Sequence, residues 1–234
     1  MSTIGDYAFF WCDNLRSVAL PISVTSIGSS AFSWCEGLTS IIIPNSVTSI
    51  ADNLFHNCKR LVSVVIPDSV TKIGGWAFAS CGYSSIKIPR SVVSLGVKPF
   101  VDCDNLEVID VSQNPNFVFV NGVLFDKEMT QIILCTSSKS GDYTIPSTVT
   151  TIHEGAFHGC VRLTSIIIPN SVTSIGKCAF DSCSGLTSIV IPESVTDIGD
   201  YAFDYCYNLK TVSIPKNLEY PSSAFPDGAT INRY

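Results

Sequence analysis

Apolar and polar positions alternate along this chain in short bursts. In residues 38–44, LTSIIIP, the side chains of Leu38, Ile41 and Ile43 fall on one side of an extended segment, and Ser40 and Ile42 fall on the other. That is the two-residue period of a β-strand. Pro44 ends the strand, because proline has no N–H to give to a ladder. The next residues, SVTSI, turn a corner that buries Val47 and Ile50, exposes Thr48 and has room for a second short strand. GSSAF, residues 28–32, suits a tight turn or a single helical turn that drives Phe32 inward.

The pattern repeats through the chain. Phe9, Phe32, Phe55 and Phe78 are 23 residues apart, Phe100 follows after 22, Phe157, Phe180 and Phe203 return to 23, and Phe225 follows after 22. Three residues after the Phe stands Cys12, Cys35, Cys58, Cys81, Cys103, Cys160, Cys183 or Cys206. Six after it stands Leu, or Tyr83 where the fourth unit has lost one residue. The string IIIPNSVTSI occurs at 41–50 and again at 166–175. A unit this short cannot bury its own apolar face, so neighbouring units must stack as coils.

The spacing predicts regular coils over 4–111 and 146–215 and a C-terminal cap at 216–234. Between them, adding 23 to the fifth unit puts Val118, Val123, Met129, Ile132 and Leu134 into the apolar columns. This predicts a divergent coil over 112–134 and then an eleven-residue insertion, CTSSKSGDYTI, at 135–145. Asn121-Gly122 is also a strong hairpin signal, and the two readings agree if the divergent coil bulges outward as a hairpin. The expectation is one domain over 1–234, α/β to mainly β, of about ten coils.

The consensus I-G-x-x-A-F-x-x-C-x-x-L-x-x-I-x-I-P-x-S-V-T resembles the BspA-like, treponemal-type leucine-rich repeat from Ile4 to about Phe225. NGVLFDKEMTQIIL, residues 121–134, also resembles an irregular segment of that family. The resemblance implies a single right-handed leucine-rich-repeat solenoid with stacked parallel strands. It further implies a non-enzymatic adhesion module on a bacterial surface or secreted, binding proteins of a host or a neighbouring cell, such as extracellular-matrix or plasma proteins.

Composition narrows the alternatives. Charged residues make up 15% of the chain and the net charge is −6, with no basic stripe to suit nucleic acid. No apolar run approaches the 18 or so residues of a membrane helix. MSTIGDYAFFWC lacks the basic and apolar regions of a signal peptide, which leaves a cytoplasmic location open beside the surface one. The chain also begins inside a repeat, so a bare first coil could pair with a second copy.

Candidate chemistry is sparse. The ten cysteines include no C-x-x-C pair, and eight of them share one column. They are expected to be small buried side chains whose thiols meet loop carbonyls. Cys135 and Cys178 lie outside that column, with Cys178 the more reactive. His153, Glu154 and His158 come near a zinc-protease motif but are spaced one residue too far apart. Asp102, Asp104 and Asp110 lack the glycine and bidentate glutamate of a calcium loop. No catalytic, metal or cofactor residues are assigned, and an enzyme is not expected.

Binding is expected in the outward columns. One is a hydroxyl row that includes Ser40, Ser63, Ser165 and Ser188; beside it runs Ile42, Val65, Lys87, Asp110, Ile167 and Val190. Such a patch marks an interaction surface, although β-branched residues also suit any exposed strand. A second set is aromatic: Phe10, Trp11 and Trp34 near one end, Tyr201, Tyr205 and Tyr207 near the other, and Trp76 between. Covering the ends of an open stack is the expected role there. Two functions stand side by side, a protein-binding or adhesion module and a self-assembling scaffold that associates through its open ends.

Overall fold

Apolar alternation and proline stops produce very short strands, which gain partners only from the next coil. The computed structural model describes residues 2–234 and divides into two units, one ending at Phe117 and one beginning at Val118. Among the described residues there is no helix, so the mainly β part of the expectation holds and GSSAF forms tight turns.

The first unit contains β1 (Thr3–Ile4), β2 (Ser26–Ile27), β3 (Ser40–Ile42), β4 (Ser49–Ile50), β5 (Ser63–Val65), β6 (Lys72–Ile73), β7 (Ser85–Lys87), β8 (Ser94–Leu95) and β9 (Val108–Asp110). Every pairing is parallel, and the inward positions set aliphatic on aliphatic. Ile41 faces Val64 between β3 and β5, Ile86 faces Ile109 between β7 and β9, and Ile50, Ile73 and Leu95 line up across β4, β6 and β8. The inward residues Leu38, Ile41 and Ile43 are buried, while Ser40 and Ile42 face solvent. The deleted residue in the fourth unit is absorbed by Tyr83, which is buried and donates its hydroxyl to the Phe78 carbonyl at 3.1 Å.

A turn built around the repeated Phe forms the third side of each coil. Ala31 N–H bonds to Gly28 O and Cys35 N–H to Phe32 O, so two turns bracket the aromatic residue. Their third residues, Ser30 and Trp34, have φ of 55° and 63°, the left-handed requirement of a type II turn. The amides of Ser30, Phe32 and Trp34 therefore all point at the following coil and reach Asp52, Leu54 and His56 carbonyls at 3.1, 3.0 and 2.7 Å. The rings of Phe9, Phe32, Phe55, Phe78 and Phe100 stack face to face with centroids 5.0–5.7 Å apart.

Next come β10 (Phe117–Val120), which starts on the last residue of the first unit, and, in the second unit, β11 (Val123–Asp126) and β12 (Gln131–Cys135). Strands β10 and β11 are neighbours joined by Asn121 and Gly122, both at positive φ, and β11 runs antiparallel to β12. The hairpin is thus present. There follow β13 (Gly141–Thr144), β14 (Thr151–Ile152), β15 (Leu163–Ile167), β16 (Ser174–Ile175), β17 (Ser188–Val190), β18 (Asp197–Ile198), β19 (Thr211–Ile214) and β20 (Thr230–Arg233).

The phase of the divergent coil differs from expectation. Ile132 pairs with Ile152, which places it in the corner column and not in the I-x-I column. Tyr143 pairs with Ile166 and Thr144 with Ile167, so residues 135–145 are no insertion but the coil's own second half. The mismatch arises because the hairpin uses the extra residues before Ile132, and Tyr143 fills an isoleucine slot, which conceals the column. At the far end β20 adds a parallel strand to β19, and Arg233 donates to Lys216 and Leu218 carbonyls at 2.7 and 3.1 Å.

Phe55 is fully buried and stacked between Phe32 and Phe78 at 5.7 and 5.4 Å. Phe55→Ala is expected to cost about 3–5 kcal/mol of stability, read as a lower urea midpoint; a loss within the error of the parent would show that the ring column is not a packed core.

Candidate functional site

Strand alternation leaves one side chain in two outside the core, and the parallel register aligns these side chains in rows. In the first unit Ser40, Ile42, Ser63, Val65 and Lys87 are exposed, and Asp110 is half-buried. In the second unit Ser165, Ile167, Ser188 and Val190 are exposed. Lys87 and Asp110 stand directly opposite each other. The Asp110 carboxylate accepts the Ser112 amide at 3.0 Å, and its hydrogen bonds from Ser112 hold its pKa below the usual carboxylate value. In the second unit the row borders a cavity of about 400 Å³ lined by Ser165, Ile167, Ser188, Val190 and Tyr234. Tyr234 donates its hydroxyl to the Ile191 carbonyl at 2.8 Å. No sequence pattern marks Tyr234, because it lies outside the repeat and reaches the row only through the cap strand.

The aromatic residues of the first unit run along the stack and do not cover its open face. Trp11 stacks on Trp34 at 5.9 Å, Trp34 meets His56 edge-on at 6.0 Å, His56 meets Trp76 at 6.1 Å, and Lys98 lies over Trp76 at 5.5 Å. Phe9, Leu15, Val18 and Leu20 of the first coil remain half-buried. In the second unit Tyr205 meets Tyr207 at 5.8 Å, and both are exposed.

The thiol column is structural. Cys35, Cys58 and Cys81 donate to Phe9, Phe32 and Phe55 carbonyls at 3.0, 3.1 and 3.2 Å, and Cys183 and Cys206 donate to Phe157 and Phe180 at 3.0 and 3.1 Å. Burial pushes Cys35 and Cys103 up to about 11 and Cys206 to about 12, and raises Cys58, Cys81, Cys135 and Cys183 well above the ordinary value. Two expectations change. Cys12 is exposed, and Cys135 is buried, because β12 carries it into the core.

Neither histidine of the near-motif faces the other as a ligand. His153 Nε2 pairs with Gln131 Oε1 at 2.7 Å, and His158 Nδ1 lies 3.2 Å from Asp181 Oδ2. Among the described residues no group of three His, Cys, Asp or Glu side chains is placed to hold a metal ion. No helix of the described residues is long and apolar enough to cross a membrane.

Stacked 23-residue coils with short parallel strands and a buried thiol column define a leucine-rich-repeat β-solenoid. The chain matches the BspA type leucine-rich repeat region, in six copies, over residues 2–130 and 133–233, and it belongs to that family. No curated protein matches the chain. A leucine-rich cell surface protein from Faecalibacterium prausnitzii has a similar structure, with a TM-score of 0.78 and 28% identity over 100% of this chain and 76% of its own. A leucine-rich repeat protein from Eubacterium ventriosum is similar at 0.75 and 27% identity, over 92% of this chain and 65% of its own. The pneumococcal vaccine antigen PcpA shares the fold at 0.74 and 23% identity, over 100% of this chain and 66% of its own. The family is a non-enzymatic repeat fold that serves as a protein-interaction scaffold.

With a thiol reagent the native chain is expected to label at Cys12 and Cys178 only, the other eight following after denaturation. The raised thiol values also fix the alkaline limb of stability. A buried thiol keeps its proton longer in the folded chain than in the unfolded one, so its contribution is complete below about pH 8.5 and is lost as pH rises toward the folded values. The urea midpoint is therefore expected to fall steadily above pH 8.5; a flat profile to pH 10.5, or labelling of Cys58 in the native chain, would contradict the buried column.

Proposed function

We propose that the chain is a protein-interaction module, displayed on a cell surface or secreted, that holds its partner on the outward face of the I-x-I strands. The observation that carries this is the exposed aliphatic row. Ile42 is 69% exposed, and Ile167 and Val190 are each 58% exposed, each row flanked by serines. Soluble folds rarely leave aliphatic side chains aligned in contact with water unless they meet a partner. The cavity beside Tyr234 gives the second-unit row a concave boundary. The description of the Faecalibacterium relative as a cell surface protein supports the location, and adhesion to extracellular-matrix or plasma proteins is the activity to test.

Ile42→Lys combined with Ile167→Glu places charge in both rows. A charge in an interface core must be desolvated without a partner, at a penalty of several kcal/mol, whereas an exposed strand position loses under about 1 kcal/mol of stability. Against a panel of immobilised matrix and plasma proteins, the double variant is expected to lose binding that the parent shows while melting like the parent. Equal binding by the two would remove the sheet face from consideration.

A further inference from the structure

The divergent coil changes the chemistry of one slot in the core. In the regular coils of the second unit the Phe amide donates to an alanine carbonyl of the next coil, Phe157 to Ala179 and Phe180 to Ala202. The amide that reaches the Ala156 carbonyl belongs to Cys135. Cys135, the last residue of β12, therefore stands in the slot that Phe fills in the regular coils, and it is buried as that slot requires. The missing ring shows in the stacking. Phe157 lies nearly parallel to Phe180 at 4.9 Å, whereas its contact with Tyr143 is tilted by 50° at 6.1 Å.

In this fold the Phe slot of one coil meets the Cys slot of the next. Cys35, Cys58, Cys183 and Cys206 donate to the carbonyls of Phe9, Phe32, Phe157 and Phe180 at 3.0–3.1 Å. Those pairs set a thiol against an aromatic residue; at Cys135 and Cys160 both slots hold cysteine. Cys160 has no short bond of the regular kind. Its Sγ lies 3.7 Å from Thr136 O, and Cys135 Sγ lies 3.6 Å from the same oxygen. Two sulfurs thus converge on one carbonyl. Burial raises the Cys135 thiol, and a hydrogen bond with the Cys160 thiol raises it further, which agrees with sulfurs side by side. Neighbours within the Cys column differ, because each keeps a carbonyl of its own, as Cys58 and Cys81 do at 3.1 and 3.2 Å.

We propose that Cys135 and Cys160 form a disulfide as the chain folds in the presence of a low-molecular-weight disulfide. One thiolate attacks the oxidant and releases a small thiol, and the other then attacks the mixed disulfide and releases the second. Two S–H bonds are lost, one bond forms between Cys135 Sγ and Cys160 Sγ, and the oxidant takes both electrons and both protons. The reaction belongs to folding, since the thiolate is the attacking form and both sulfurs are buried afterwards. The bond spans 25 residues and ties the end of β12 to the first regular coil after it. The site is separate from the sheet face, and an exported location is where such a bond persists. Labelling of all eight buried thiols on denaturation then describes the reduced chain.

The test is refolding from urea with a mixture of oxidised and reduced glutathione, with refolding in dithiothreitol as the reference. A Cys12→Ser, Cys178→Ser background removes the two accessible thiols and with them linkage between chains. Of the eight thiols then left of the chain's ten, the oxidised form is expected to show two fewer in denaturant than the reduced form. A digest is expected to yield one linked peptide pair, carrying Cys135 and Cys160, and the urea midpoint to rise on oxidation, as closing a loop of the unfolded chain raises it. Adding Cys135→Ser, with folding checked by circular dichroism, is expected to make thiol count and midpoint insensitive to the oxidant. An unchanged thiol count after oxidative refolding, a link between column neighbours such as Cys58 and Cys81, or oxidation that persists in the Cys135→Ser chain would each overturn the proposal.

Discussion

Directional hydrogen bonding at the Phe turn is the constraint on which the rest of the structure depends. Two left-handed residues per turn aim three amides at one neighbouring coil, as Asn53, Phe55 and Asn57 reach Gly75, Ala77 and Ala79 carbonyls at 2.9, 2.7 and 2.8 Å. Those bonds fix where the next coil lies, and with it the stacking of Phe on Phe and thiol on carbonyl. The close approach has a steric consequence too. A Cβ on Gly176 would come within 2.6 Å of the Glu154 amide nitrogen, nearer than real Cβ contacts allow, so the glycine after the corner isoleucine keeps the coils apart by one backbone thickness. Buried backbone groups must be paired, and here the pairing is supplied between coils, which is why so few charged side chains are needed.

The columns were legible because every coil meets the same surroundings. Leu38, Ile41, Ile43, Val47 and Ile50 are buried as the alternation requires, and Ile42 faces out. Reading failed where a residue type changed role. Tyr143 takes an isoleucine slot and Ile132 a corner slot, so counting apolar residues forward from the fifth unit gave a plausible phase that the strand pairing does not follow. Cys135 was misplaced by the same error. The outward rows could be read as rows, but not Tyr234 at their border, since a cap residue has no column to betray it.

The direction of the aromatic cluster was illegible for a different reason. Trp34, His56 and Trp76 occupy three different columns, two after, one after and two before the Phe. Only the turn, which folds those positions onto one edge, makes neighbours of them. Sequence spacing of 22 and 20 residues gives no hint of contact, whereas ring centroids 6.0 and 6.1 Å apart leave no doubt of it.

The coil thus separates what must be constant from what is open to change. Inward slots are bounded by packing and the turn amides by bonding, and neither admits variation without cost. Outward strand slots tolerate Ile42, Lys87 and Asp110 alike because solvent lies beyond them. The left-handed turn positions are intermediate: they accept glycine freely and asparagine such as Asn53 and Asn57 at small cost, and most other residues carry a backbone penalty of about 1–2 kcal/mol. Trp11 meets that penalty while 64% exposed, and its contacts with Trp34 and Asp13 offset part of it; Trp76 is half-buried. The sheet rows and the turn edge are different sides of each coil, and side chains on one can therefore change while the other keeps its geometry.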